Sequence, residues 1–344
     1  MKKVLVTGGT GYIGSHTAVE LIRSGYEVVI VDDLSNSHVD VLDGIEKITG
    51  TRPEFAQFDL CDESKLNAFL SKHPDINSII HFAASKAVGE SVVKPLLYYK
   101  NNLLSLILLL EAMKKYNIPN IVFSSSCTVY GQPDKLPVTE HTPFKPAESP
   151  YGNTKQVGEE ILMDTCRAEK SVNAISLRYF NPVGAHESAL IGELPSGVPA
   201  NLVPFITQTA AGMREQLLVF GNDYDTPDGS AIRDYIHVVD LAVAHVMALT
   251  RMLNKKQKNN YEFFNIGAGK GLSVLELIHA FEEANGIKVN YKIVARRPGD
   301  VVKIYADTTL ANKELGWTPK LDVADMMRSA WKWQQHVMKS KVLN

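Results

Sequence analysis

Short apolar runs alternate with longer amphipathic segments along the first half of the chain. Each run is rich in Val, Ile and Phe and too short for a helix, which is typical of strands buried on both faces of a parallel sheet. Six such strands are predicted, at residues 3–7, 27–31, 55–60, 78–84, 118–123 and 172–180. The segments between them predict helices, so we expect an α/β fold built on a doubly wound parallel sheet.

The strand–helix alternation stops after residue 180, where Asn181, Pro182 and Gly184 interrupt it. The chain then stays rich in Gly, Pro and Asn to about residue 230, which predicts a second, smaller α/β lobe. A strand–helix pattern at 236–249 and an apolar run at 261–266 indicate returns to the first lobe. We therefore assign residues 1–180, with returns near 236–267, to the first lobe, and the remainder of 181–344 to a discontinuous second lobe.

A glycine-rich turn follows the first predicted strand and precedes a predicted helix. Two spacings fit it, Gly9-x-Gly11-x-x-Gly14 and Gly8-x-x-Gly11-x-x-Gly14. Glycines in this context let the backbone approach a pyrophosphate, which then lies at the helix N-terminus. Asp32 ends the second strand and can bind ribose hydroxyls, and no arginine follows it closely. The sequence therefore predicts a Rossmann-type sheet that binds NAD rather than NADP.

The fifth strand leads into Ser124 and Ser126, and a helix begins near Pro150. On that helix Tyr151 and Lys155 are four residues apart and share one face. An ammonium beside a phenol favours the phenolate, so we expect Lys155 to lower the pKa of Tyr151 and make it a base. Taken alone, the pair is equally compatible with two ordinary surface residues.

Composition excludes several other classes of protein. Lys plus Arg is 36 and Asp plus Glu is 38, so the net charge of −2 gives no reason to expect nucleic-acid or membrane binding. Three scattered cysteines predict neither disulfides nor a metal site and fit a reducing compartment. Glycines follow the first strand before any signal-peptide core forms, and the apolar run at 103–110 is too short to span a bilayer. We expect a cytoplasmic protein without a metal.

The predicted helix at 98–116 carries leucines around most of its circumference. A helix that is apolar on most sides is buried, either by the chain's own helices or by a second subunit. We expect a homodimer that forms through the helices at 98–116 and 151–168.

Together these motifs resemble the extended short-chain dehydrogenase/reductases, and within them most closely the UDP-glucose 4-epimerase family. The resemblance covers essentially the whole chain. It rests on the stretches 7–16, 86–91, 124–131, 149–155, 178–186, 220–224 and 233–238. It implies reversible epimerisation at C4 of UDP-glucose and UDP-galactose, an isomerase reaction of galactose metabolism, through a 4-keto sugar and tightly held NAD.

The resemblance also implies a role for individual residues. Tyr151 would take the proton of the sugar 4-hydroxyl, Lys155 would hold the nicotinamide ribose, and Ser126 would bind the 4-oxygen. The implied NAD site consists of Gly8, Gly11, Tyr12, Ile13, Gly14, Asp32, Asn36, Ser37, Asp59, Leu60, Phe82, Ala83, Lys86, Asn101, Ser124, Tyr151, Lys155 and Phe180. The implied UDP-hexose site consists of Lys86, Ser126, Tyr151, Asn181, Asn201, Leu202, Phe220, Arg233, Arg297 and Asp300.

Two departures narrow the reaction. Cys127 and Thr128 stand where the related 4,6-dehydratases carry an Asp-Glu pair, and the decarboxylases carry Glu at the second position, which argues against both activities. Ile304 stands where tyrosine is associated with plain hexoses and small residues with N-acetylhexosamines, and Tyr305 would replace it if the register slipped by one. A UDP-N-acetylglucosamine or dual-specificity epimerase is therefore the alternative. A reductase that releases NADH and a non-catalytic NAD-sensing protein fit the residues less well.

Overall fold

The computed structural model describes residues 2–296 and 301–340. A seven-stranded, wholly parallel sheet forms its centre, with the strand order β10-β6-β5-β4-β1-β2-β3. Its strands are β1 (Lys3–Thr7), β2 (Glu27–Asp32), β3 (Glu54–Gln57), β4 (Ile76–His81), β5 (Asn120–Ser126), β6 (Asn173–Tyr179) and β10 (Tyr261–Ile266). The strand order reverses between β1 and β4, and in such sheets ligands bind outside the carboxyl ends of the strands at this point. The predicted α/β fold is confirmed.

Helices cover both faces of this sheet. One face carries α1 (Tyr12–Arg23), α2 (Val41–Thr49) and α8 (Val238–Leu253). The other carries α3 (Glu63–Lys72), α5 (Pro95–Lys115) and α6 (Pro150–Ala168), and the short α4 (Val88–Val93) precedes α5. Val4, Leu5 and Val6 of β1 are fully buried, because a central parallel strand faces helices on both sides.

A second group of elements lies beyond β6. It contains β7 (Asn181–Val183), α7 (Leu202–Ala210), β8 (Leu217–Phe220), β9 (Ile232–His237), β11 (Gly271–Ser273), α9 (Val274–Asn285), β12 (Tyr291–Val294), β13 (Lys303–Ile304) and α11 (Val323–Ser340). Helix α10 (Thr309–Leu315) comes late in the chain but packs in the core of the main sheet. In it β9 pairs with β7, β11 and β13, while β8 pairs with β12. Helices α7, α9 and α11 share a separate apolar core with these strands.

One prediction about the chain path is wrong. The strand near residue 236 was expected to return to the main sheet, but it is β9 and it lies in the second sheet. The reason is that β7, where the chain leaves the main sheet, pairs with β9 from Asn181 to Val183. The helix that follows, α8, does pack on the main sheet, and β10 is an edge strand of that sheet.

Candidate active site

The glycine turn brings the start of α1 against the carboxyl ends of β1 and β4. A Cβ atom on Gly8 would lie 2.7 Å from the backbone nitrogen of Ala83, and Gly8 has φ +68°. A Cβ atom on Gly14 would lie 2.2 Å from the Gly8 carbonyl oxygen. Gly11 is the N-cap of α1 without a side-chain cap, and the first helical turn contains no acidic residue. These features fit a pyrophosphate bound at the helix N-terminus.

Asp32 connects the end of β2 to this turn. Its carboxylate accepts hydrogen bonds from the Thr10 backbone N–H at 3.2 Å, the Leu34 N–H at 2.9 Å and the Ser37 hydroxyl at 3.1 Å. Asp32 is buried, whereas Asn36 beside it is exposed. A carboxylate fixed at the end of β2, next to the glycine turn, suits the hydroxyls of an adenosine ribose.

Further residues expected at the NAD site follow β3 or lie on α5. Asp59 is exposed and accepts a hydrogen bond from the Cys61 N–H, while Leu60 is buried. The side chain of Asn101 on α5 donates to the Ser85 hydroxyl at 3.1 Å. The sequence did not identify Asn102, whose amide holds Ser85 through two main-chain hydrogen bonds and also donates to Thr154 on α6 at 3.1 Å.

Tyr151 and Lys155 lie in the first turns of α6, which Ser149 caps by accepting a hydrogen bond from the Gly152 N–H. The Lys155 ammonium lies 5.8 Å from the centre of the Tyr151 ring. It donates to the Ser124 carbonyl oxygen at 2.7 Å and to the Ser124 hydroxyl at 3.3 Å. Burial disfavours its charge and lowers the pKa of Lys155 to about 7, although Glu159 opposes the shift.

The expectation that Lys155 lowers the pKa of Tyr151 is wrong for the groups that the chain itself supplies. Burial raises the pKa of Tyr151 to about 12; a hydrogen bond with Ser126 opposes the shift and the nearby Cys127 adds to it. The physical reason is that the phenol loses water, while the Lys155 ammonium donates to Ser124 and is itself poorly solvated.

Ser126 ends β5 beside Tyr179, which ends the neighbouring strand β6. The Ser126 hydroxyl accepts a hydrogen bond from the Thr128 N–H at 3.2 Å and also contacts Tyr151. The sequence did not identify Tyr179, whose pKa is raised by burial and by Tyr151. The side chains of Ser126, Tyr151 and Tyr179 therefore lie near one another at the carboxyl ends of β5 and β6.

A buried ion pair lies one helical turn beyond Lys155. Glu159 accepts two hydrogen bonds from the Arg178 Nε, at 2.9 and 3.1 Å, and one from Nη2 at 2.5 Å. It also accepts hydrogen bonds from the hydroxyls of Ser125 and Tyr261. This network ties α6 to strands β5, β6 and β10.

Several of the residues expected to hold the substrate lie on or next to the second group of elements. The Asn181 amide donates to the Asp234 carbonyl oxygen at 3.2 Å, and the Arg233 guanidinium donates to the Ile232 carbonyl oxygen at 2.9 Å. Leu202 begins α7 and Phe220 ends β8 with 38% of its surface exposed. Arg297 and Asp300 lie outside the described residues.

Glu193 contacts one residue that follows the main-sheet strand β4 and one that precedes α7 in the second group of elements. The sequence analysis missed it. Its carboxylate lies 3.6 Å from the Lys86 ammonium and accepts a hydrogen bond from the Asn201 amide at 2.7 Å. Lys86 and Asn201, which were expected to bind NAD and UDP, therefore meet at one carboxylate.

Ile304 is 5% exposed and packs in a small apolar cluster with Phe180 and Tyr130. Tyr305 points elsewhere, since a Cβ atom on Gly271 would lie 3.2 Å from its ring. Ile304, not Tyr305, thus occupies the position next to Phe180.

Among the described residues there is no cluster of three or more His, Cys, Asp or Glu side chains that could hold a metal ion. In the same part of the chain, no helix combines the length and hydrophobicity needed to cross a bilayer.

Comparison with known proteins agrees with this geometry. The family model described as GDP-mannose 4,6 dehydratase matches residues 5–330. A UDP-glucose 4-epimerase of Haemophilus influenzae is 50% identical over 333 residues, which are 97% of each chain.

Two solved structures are also similar. The UDP-glucose 4-epimerase of Stenotrophomonas maltophila, with bound NAD and formylated UDP-arabinopyranose, is 48% identical with a TM-score of 0.95, covering 99% of this chain and 100% of that one. The enzyme of Bifidobacterium longum, in complex with NAD⁺ and UDP, is 48% identical with a TM-score of 0.93, covering 97% and 98%. With full-length identity near 50% and the same fold, the chain belongs to the UDP-glucose 4-epimerase family.

Proposed function

We propose that this protein interconverts UDP-glucose and UDP-galactose at C4, using NAD that stays bound between turnovers. The observation that carries the proposal is the meeting of Tyr151, Lys155 and Ser126 at the carboxyl end of the same parallel sheet that carries the glycine turn. The names of the similar proteins support it, because the relative in H. influenzae and both solved structures are UDP-glucose 4-epimerases.

The residues expected at the NAD site fit that cofactor. The first turn of α1 bears no acid, and Gly8 and Gly14 leave no space for a side chain where the backbone must approach a phosphate. The buried Asp32 carboxylate offers acceptors for ribose hydroxyls and would repel a 2′-phosphate. Bound NAD supplies a hydride acceptor and donor and, in its oxidised form, a positive charge.

The chain's own groups move the proton of the 4-hydroxyl. Ser126 lies close enough to Tyr151 to lower its pKa, so the serine hydroxyl can relay the proton between the sugar 4-oxygen and the phenol oxygen. Lys155 holds the ammonium charge close to Tyr151 at and below a pH of about 7. The same groups return the proton after the 4-keto sugar has presented its other face, so no external acid or base is consumed.

We propose that Lys86, Asn181, Asn201, Leu202, Phe220 and Arg233, together with Arg297 and Asp300, bind the UDP-sugar. An arginine guanidinium matches the two oxygens of a phosphate, and an amide can recognise uracil or ribose. Ile304 is buried in the same apolar cluster as Phe180, and we propose that it limits the pocket to plain hexoses.

The first experiment uses purified protein without added cofactor. It is incubated with UDP-galactose and, separately, with UDP-N-acetylgalactosamine, and the products are resolved by NMR. Conversion of UDP-galactose alone is expected. Conversion of both substrates would make Ile304 permissive and the enzyme dual, and conversion of neither after NAD is supplied would refute the proposed reaction.

The role of the phenol is tested with Tyr151→Phe and, as a matched control, Tyr26→Phe. Tyr26 also loses a hydroxyl hydrogen bond, to Thr250, but it lies away from the site. Loss of a positioned acid or base costs about 10²–10⁴-fold, so Tyr151→Phe should lower kcat by this factor and keep its NAD. Equal activity of the two variants would contradict the assignment.

We also propose a homodimer through α5 and α6. Most leucines of α5 belong to the chain's own core, but Leu96, Leu97 and Ile107 remain exposed, as does Met163 on α6. Exposed apolar side chains on two neighbouring helices are typical of subunit interfaces. Light scattering at micromolar concentration should give twice the mass of the chain, and a monomer would refute the proposal.

Two further assignments remain proposals. The three free cysteines suit the reducing cytoplasm, which cell fractionation would test. Residues 1–180, with returns near 236–267, would form the NAD lobe, and the rest of 181–344 the UDP-sugar lobe. If so, limited proteolysis with NAD alone should cut first within the second lobe.

A further inference from the structure

Asp234 on β9 is a buried carboxylate with an unusual set of partners. Its side chain is fully buried. The hydrogen bonds that the described residues donate to it all come from the main chain: from Ala268 at 2.7 Å, from Gly269 at 3.1 Å and from Ala306 at 3.0 Å. Burying a carboxylate costs free energy even when main-chain N–H groups donate to it, so we expect Asp234 to have a role that offsets this cost.

The three N–H groups come from two separate segments. Ala268 and Gly269 follow β10, the edge strand of the main sheet, whereas Ala306 lies two residues after Ile304. A Cβ atom on residue 267 would lie 2.5 Å from the carboxylate, so Gly267 lets this approach occur. One side chain therefore holds the end of the main sheet and the strand that bears Ile304.

The strand that carries Ile304 has few other attachments. β13 is two residues long, and within the described part of the chain its strand partner is β9. On its other side, the Val138 N–H donates to the Tyr305 carbonyl at 3.0 Å and the Asp307 N–H donates to the Val138 carbonyl at 2.8 Å. The Ala306 N–H lies between these two bonds and points to Asp234, which makes the carboxylate a main anchor of the segment.

Asp234 is also adjacent to the residues proposed to bind UDP. Its own carbonyl oxygen accepts the Asn181 amide, and its chain neighbour is Arg233, which pairs in register with Ile304. Side chains alternate along a strand, so Arg233 lies on the face opposite the Asp234 carboxylate. Fixing Asp234 thus fixes the backbone from which Asn181 and Arg233 are placed.

We propose that Asp234 is a positioning residue that sets the width of the sugar pocket by holding Ile304 in place. The inference rests on the proposed function and deepens it. Two oxygens that accept three N–H groups hold the segment more rigidly than an amide, which has a single acceptor oxygen. The preference for a plain hexose would therefore depend on Asp234 as well as on Ile304.

The test compares Asp234→Asn with the wild type. For both, kcat and KM are measured with UDP-galactose and UDP-N-acetylgalactosamine, together with NAD content and Tm. Asp234→Asn should raise the ratio of kcat/KM for the N-acetylated substrate over the plain one by about fivefold or more, an effect of about 1 kcal/mol. KM for UDP-galactose should rise more than kcat falls, and the NAD content should be unchanged.

Asp240→Asn is the matched control. Asp240 is also buried and accepts two main-chain hydrogen bonds, from Lys320 and Leu321, but it lies on α8 away from Ile304. Asp240→Asn should lower Tm and leave unchanged the ratio of kcat/KM between the N-acetylated and the plain substrate. If Asp234→Asn lowers Tm with an unchanged ratio, Asp234 has only a structural role and the inference is refuted.

Two further variants keep the test decisive. Ala306→Pro removes the N–H that points to Asp234 and also fixes φ at this position, and it should shift the ratio in the same direction even if Asp234→Asn does not fold. Ile304→Ala should shift the ratio too, and adding Asp234→Asn should give less than the sum of the two effects, since both act on one contact. Additive effects would overturn the inference, and a wild type that converts neither sugar would refute the proposed function instead and the inference with it.

Discussion

Replacement of Glu159 by glutamine should destabilise the protein and disturb α6, the helix that carries Tyr151 and Lys155. Glu159 is 3% exposed and accepts hydrogen bonds from the Arg178 guanidinium, whose side chain is 5% exposed. Burial opposes the charge on Arg178, but Glu159 outweighs it and the pKa of Arg178 is raised. Glu159→Gln removes the negative charge and leaves the guanidinium buried with three uncharged acceptors: the glutamine amide oxygen, the Tyr130 hydroxyl and the Glu140 carbonyl.

The size of the effect follows from this geometry. Removing one partner of a buried ion pair costs about 3–5 kcal/mol, because the other charge stays buried. The lower end applies here, since the guanidinium lies 4.3 Å from the Phe263 ring centre and 4.8 Å from the Phe144 ring centre. Cation–π contacts of this kind are worth up to about 2 kcal/mol and remain in the variant. We expect a loss of about 3 kcal/mol in the free energy of unfolding.

The assay is urea unfolding followed by tryptophan fluorescence, at one fixed NAD concentration. Asp164→Asn on the same helix is the matched control, because the Asp164–Arg167 pair is 69% exposed on both sides. An exposed pair of this kind is worth at most about 1 kcal/mol. Glu159→Gln should also lower kcat, since Glu159 lies one turn from Lys155 and raises its pKa.

A second variant separates the charge from the packing. Glu159→Leu combined with Arg178→Met replaces both charges with apolar side chains of similar size, and such replacements are often neutral or stabilising. It should therefore recover most of the stability lost in Glu159→Gln. If Glu159→Gln unfolds at the same urea concentration as Asp164→Asn, the reasoning about the uncompensated Arg178 charge is wrong.

Two further predictions concern the nucleotide turn and the response to acid. Gly14→Ala should abolish NAD binding, since its Cβ would lie 2.2 Å from the Gly8 carbonyl oxygen. The control Gly89→Ala should be tolerated, because nothing lies within 4 Å of its Cβ. The NAD content of each variant after purification tests both expectations. Burial, with Lys155 adding to it, lowers the pKa of His81 to about 3, well below the value of about 6.5 in the unfolded chain. Between these pH values only the unfolded state binds the proton, so the stability present above pH 6.5 is lost as the pH falls. His81→Asn should make the free energy of unfolding less dependent on pH over this range. An unchanged slope of that free energy against pH would contradict the lowered pKa of His81.

The parts of the fold and site that were predicted correctly depend on short stretches of sequence. The glycine turn between β1 and α1 is one local unit, so spacing alone identified it. Tyr151 and Lys155 share a helix face, which their separation in the chain determines.

The parts that were missed depend on residues far apart in the chain. Glu193 lies against Lys86 more than a hundred residues away, and Asp234 against Ala306. No local pattern marks such pairs. The pKa of Tyr151 was predicted in the wrong direction because burial, which the sequence does not give, raises it more than the hydrogen bond with Ser126 lowers it. Likewise, β9 was placed in the wrong sheet because its partner β7 was not recognised as a strand.

The late position of α11 in the chain affects the order in which contacts can form during synthesis. The Ser329 hydroxyl accepts the Ala185 N–H at 3.2 Å, and the Trp333 indole donates to the Glu193 carbonyl at 2.8 Å. Synthesis runs from the N-terminus, so the ribosome completes the segment that holds Glu193 long before it makes α11. That segment must wait for partners more than a hundred residues downstream. During translation strands β1 to β6 can pair early, while the segment that holds Glu193 stays open to chaperones and proteases until synthesis is nearly finished.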